Sequence, residues 1–143
     1  MPLITIRATP GAFTAESKAR LVEAITNAAC EAESLPAANR VRTIVIWEDL
    51  TDVYLGAQPA QELARLLLLD FVASDGVLDP VRREAFAHDV HWAALGEPAD
   101  DRPVKTSVLF HDVPEGRWGR DGTIMRLPAM AAAAGFEHLK GLA

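Results

Sequence analysis

Residues 1–47 read MPLITIRATPGAFTAESKARLVEAITNAACEAESLPAANRVRTIVIW, and a change of hydrophobic period within them decides the fold. Leu3 to Ala8 alternates and is β-rich, which reads as a strand, and Pro2 suits its first position because no ladder bond needs the missing N–H. TPGAFT (9–14) supplies turn residues and ends on Thr14, a plausible N-cap. From Ala15 to about Glu33 the apolar residues Leu21, Val22, Ile25, Ala28, Ala29 and Ala32 recur at helical spacing, with Glu16, Lys18, Arg20 and Glu23 on the other face. SLPAAN (34–39) ends the helix. RVRTIVIW (40–47) follows as a β-branched run of the kind found in strands buried on both faces. The stretch predicts β-α-β.

The same order then repeats. ARLLLLDFVA (64–73) reads as a strand and SDGVLDP (74–80) as a turn in which Asp79 caps and Pro80 takes the first helical position. Val81 to Leu95 reads as a helix, GEPADDRP (96–103) as a break, and VKTSVLF (104–110) as a fourth strand. WEDLTDVYLGAQ (47–58) and FHDVPEGRWGRDG (110–122) each place an aromatic residue close before a glycine, as a duplicated and diverged unit would. The expectation is a single α/β domain over residues 1–143 (α+β in some schemes). Unit one spans about 2–60, unit two about 61–122, and a helix-prone extension covers 123–143. Strands joined through a helix run parallel with right-handed crossovers, so the two units predict a four-stranded sheet with two helices on one face. The other face is left for self-association.

Composition bounds the function. Net charge is -6 and the 14 basic residues are scattered, which argues against nucleic acid or an anionic membrane as partner. Cys30 stands alone, no leader pattern precedes the first strand, and the apolar run from Leu66 to Ala73 is short and interrupted by Asp70. A cytoplasmic protein without membrane spans is expected. There is no Gly-rich phosphate loop, nucleophile elbow or Cys–His pair, so no cofactor is expected. His88 and His91 lie three apart on the second helix, but no carboxylate or cysteine cluster completes a metal site. They read as residues of a solvated helix face.

Pro2, the repeated β-α-β unit and GRWGRDG (116–122) together resemble the tautomerase superfamily, whose unit starts on an N-terminal proline. The hairpin is similar to that of 4-oxalocrotonate tautomerase, with Trp118 at the aromatic position, and the duplication resembles fused members typified by cis-3-chloroacrylic acid dehalogenase. The resemblance implies a trimer and implies that Pro2, exposed by removal of Met1, is a general base. An α-amino group titrates near 8, and burial beside arginine lowers that value, leaving a neutral amine able to take a proton from carbon.

Several dehalogenase positions are changed. The arginine pair falls on Ser74 and Val77, the helix histidine on Ala29, the tyrosine on Leu109 and the water-activating carboxylate on Arg117. Hydration needs that carboxylate, with Glu115 or Asp112 as possible substitutes. Tautomerisation does not. The expected chemistry is therefore keto–enol transfer on a small anionic 2-oxo or 2-hydroxydienoate acid. Arg117 and Arg120 flank Trp118 and offer guanidinium forks for a carboxylate. Arg42, with Arg40 further off, lies near the family's strand-two arginine, and His111 ends the fourth strand. Arg7, of opposite strand parity to Pro2, is expected on the other sheet face. The alternatives are a hydratase or dehalogenase of 3-haloacrylate-like acids and a non-catalytic oligomeric binding protein.

Overall fold

The computed structural model describes residues 1–98 and 100–142. Its four-stranded sheet has the order β2-β1-β5-β6, built from β1 (Leu3–Ala8), β2 (Ile44–Asp49), β5 (Arg65–Ser74) and β6 (Val104–Val113). Two short hairpins stand outside it, β3 with β4 (Tyr54–Leu55, Gln58–Pro59) and β7 with β8 (Trp118–Arg120, Thr123–Met125). β1 runs parallel to β2 and β5 parallel to β6, each pair joined through a helix, α1 (Ala15–Ala32) or α2 (Pro80–Leu95). The two units meet along antiparallel β1 and β5, with Leu3 opposite Val72 and Ala8 opposite Leu67.

The caps are the residues that the sequence offers. The Thr14 side chain accepts from Ser17 N, and Asp79 Oδ1 accepts from Arg82 N at 2.9 Å with Pro80 opening α2. Ile4, Ile6, Leu67, Leu69 and Phe71 point to one side of the sheet, where Leu21, Ile25, Phe86 and Val90 of the helices cover them. Phe71 and Phe86 pack edge to face with centroids 4.8 Å apart. Trp47 packs at the strand end, edge to face with Phe13. The extension folds as α3 (Leu127–Ala134) and a 3-10 turn, burying Met130, Ala131, Ala134 and Phe136 in the same core.

Two strand expectations change. Residues 37–42 form a 3-10 turn started by Pro36, so β2 begins only at Ile44. β2 is an edge strand: Val45 and Trp47 pack on the core, while Ile44 and Ile46 stand exposed on the bare face. The β-branched run reads as doubly buried because its residues are apolar on both faces, although only one face is covered within the chain. Among the described residues no helix is long and apolar enough to cross a membrane.

Candidate active site

Pro2 is buried at the head of β1, where its carbonyl accepts from Ile44 N at 3.0 Å and so ties it to the start of β2. Met1 continues inward and is itself buried. Its amine lies 3.1 Å from Glu33 Oε2. Glu33 is the C-cap of α1, its backbone N–H bonds to Ala29 O, and its side chain has no exposed surface. The sequence periodicity carries Glu33 onto the apolar stripe, four residues beyond Ala29, and this brings a carboxylate into the core.

Burial favours the neutral form of each partner, and their mutual attraction favours the charged pair. Desolvation lowers the Met1 amine, Glu33 opposes that shift, and the nearby Arg120 and Arg42 add to the lowering. Desolvation likewise raises the Glu33 carboxyl against the pull of the amine. Arg42, last residue of the 3-10 turn, points Nη1 at Met1 Sδ from 3.7 Å, and Arg120 Nη1 donates to the same sulfur. A soft thioether thus occupies the meeting point of two guanidinium groups.

Beside these groups lies a cavity of ≈ 370 Å³ whose lining includes Met1, Pro2, Arg42, Trp118, Arg120 and Asp121. Hairpin β7–β8 puts Trp118 and Arg120 on one side because they are two residues apart on a strand. Arg117, between them in neither parity nor position, is exposed outside the lining. His111 is also elsewhere: on the bare sheet face its Nε2 lies 2.6 Å from Asp70 Oδ1. Arg7 shares Asp70 and also binds Glu48 at 2.9 Å, on the face that its strand parity predicts. Arg40 is bonded to Asn27 Oδ1. Of the expected residues, the single chain gathers Pro2, Arg42, Trp118 and Arg120 and leaves Arg117 and His111 apart.

The carboxylates weighed for hydration are engaged outside the cavity lining. Glu115 Oε2 accepts from Leu127 N at 3.0 Å, and Asp112 Oδ2 accepts from Arg83 Nη2 at 2.7 Å. Glu33 is the acid that sequence reading did not single out as functional; its helical register was the available signal. Among the described residues no group of three or more His, Cys, Asp or Glu is placed to hold a metal ion, and His91 Nδ1 instead lies 2.9 Å from Thr106 Oγ1.

Residues 2–59 match the family model described as Tautomerase enzyme. No curated protein matches the chain by sequence. Among solved structures, a native fused 4-OT superposes with TM-score 0.68 at 19% identity, covering 92% of this chain and 98% of the other. A fused 4-OT described as a symmetric trimer gives TM-score 0.66 at 20% identity, covering 91% and 98%. N1, a member of the cis-3-chloroacrylic acid dehalogenase family, gives 0.67 at 15% identity, covering 92% and 88%. The first unit thus matches the tautomerase family model by sequence, and the chain shares the fold of the fused 4-OT structures.

Proposed function

We propose that the chain, with Met1 removed, is a cofactor-independent keto–enol tautomerase acting on a small 2-oxo or 2-hydroxydienoate acid, with Pro2 as general base. The observation that supports this reading is the convergence on one cavity of Pro2, two guanidinium groups and an indole. Removal of Met1 frees a secondary amine at the cavity and vacates the space between Arg42 and Arg120. A substrate carboxylate then takes the place of the thioether, held by charge-assisted hydrogen bonds. The proline nitrogen accepts the proton of the enol hydroxyl and returns it to carbon, so the base is regenerated within one turnover. The arginines also stabilise the dienolate charge, and Trp118 walls the site against water. Arg117 and His111 have no part in this cavity within one chain.

Self-association belongs to the same reading. Ile44, Ile46 and Leu109 are 53%, 43% and 58% exposed on the bare sheet face, and a symmetric trimer would cover that face.

The test is the rate of ketonisation of phenylenolpyruvate and of 2-hydroxymuconate across pH, on protein whose intact mass shows Met1 removed. The expected result is a rate well above buffer that rises through one ionisation. Pro2→Ala, which leaves a primary amine, is expected to lose roughly 100-fold or more. A variant that keeps the full rate would remove Pro2 from the role of base.

A further inference from the structure

We propose that Glu33 is the positioning residue of the mature N-terminal amine: in the chain that begins at Pro2, its buried carboxylate ion-pairs with the proline nitrogen and sets the pH at which that nitrogen becomes a base. This rests on the reading that Pro2 is the mature terminus, and it adds a second ionisable group to the site.

The geometry is short-range. Only two bonded atoms separate the Met1 nitrogen from the Pro2 nitrogen, a span of at most about 3.7 Å by covalent dimensions. Glu33 Oε2 lies 3.1 Å from the first of these nitrogens, and Oε1 has no hydrogen-bond partner among the described residues. When Met1 leaves, a fully buried carboxylate loses its cation within one residue's length of a new one. A buried charge without a partner is strongly unfavourable, so either Pro2 moves into the pair or Glu33 takes up a proton.

Among the described residues the other charged groups are engaged elsewhere or face the cavity. Arg82 of α2 is bonded to Ala32 O and Ser34 Oγ, and His138 of the C-terminal turn to Val77 O. Arg42 and Arg120 face the thioether, and Asp121 lies on the cavity lining. In the protonated pair the proline ammonium holds two N–H groups. Loss of one proton leaves a neutral amine whose remaining N–H donates to Glu33. The lone pair freed by that proton is then the one available to accept a proton from substrate. At the Met1 amine burial and the two arginines pull the pKa down and Glu33 alone among these groups holds it up, and the proline nitrogen would inherit those neighbours.

The experiment follows covalent capture of Pro2 by 2-oxo-3-pentynoate, an alkynyl ketone that needs no turnover. The neutral amine forms an N–C bond to the alkyne carbon remote from the ketone, and the N–H proton passes to the adjacent carbon. Intact mass reads the adduct. In Glu33→Gln the pH limb of the capture rate is expected to move down by about one unit or more, and Glu33→Asp to restore part of the wild-type position. An unmoved limb in folded Glu33→Gln would overturn the proposal. If Glu33→Gln does not fold, the ¹⁵N signal of the terminal proline in the wild-type protein decides. Two inflections, one from each group, are expected, and a single inflection would overturn the coupling. Shifted capture without any tautomerisation would sink the tautomerase reading and leave this one standing; tautomerisation with an unmoved limb would do the reverse.

Discussion

The heads of β1 and β5 share one plan and differ in what fills it. Each strand begins beneath a hairpin of the other unit, β7–β8 over Pro2 and β3–β4 beside Leu66. At β1 the space is a cavity with arginines on its lining. At β5 it is closed: Ala60, Ala64 and Leu66 are buried against Val53, Leu55 and Leu68. Arg65 there is 5% exposed, with its guanidinium carbon 5.5 Å from the Phe13 ring centroid. Desolvation lowers its pKa, with Asp100 opposing. The two β-α-β units supply two corresponding strand heads, one of them a polar opening and the other filled by packing.

The largest expected effect comes from reopening the closed head. Leu66→Ala should destabilise the chain by about 3 kcal/mol in urea unfolding while leaving the tautomerisation kcat unchanged. Next, Arg120→Ala should lower kcat/KM for 2-hydroxymuconate by about 30-fold, while Arg117→Ala changes it by less than about twofold. Equal losses would mean that the hairpin acts as a whole and not through its inward face. Arg65→Met, an apolar replacement of similar volume, should change stability by less than about 1.5 kcal/mol. A large loss would show that the closed head retains a charge-dependent role.

The smallest effect is acid sensitivity near the closed head. Arg102 donates to Gln61 O and Gly11 O and is held by Asp100, whose carboxyl its hydrogen bonds bring down to about 2 from 3.8. A depressed carboxyl stabilises the fold above its ordinary value and loses that contribution as pH falls toward its folded one. Tm should therefore drop between pH 4 and pH 2, and Asp100→Asn should reduce the drop. Depression of Asp49, Asp70 and Glu97 acts in the same direction.

Much of the fold was legible because its signals are local. Thr14 and Asp79–Pro80 mark the helix starts, and the alternation of Leu3–Ala8 marks β1. The head of β2 was not, because Arg40–Arg42 looks like strand until Pro36 turns the chain first. Among site residues, strand parity separates Arg7 from Pro2, but the flank of Trp118 on which an arginine reaches the cavity is settled by hairpin geometry. Glu33 was overlooked because its partner is the chain terminus, brought beside it only by the packing of α1 on β1.

The C-terminal extension lies outside both β-α-β units and touches each: His138 Nε2 lies 2.7 Å from Val77 O in the second, and its other contacts reach the first. Asn39 Nδ2 donates to Ala134 O at 2.8 Å, and Glu137 N donates to Ser34 O at 3.2 Å. Gly135, at φ 71, sits so close to Pro36 that a Cβ would approach the proline ring to 3.2 Å. These contacts fasten the 3-10 turn that ends in Arg42, directly after the segment that carries Glu33. A segment from beyond the second unit therefore braces the strand head where Pro2 and Arg42 meet, so a change in its packing reaches the pocket without touching it.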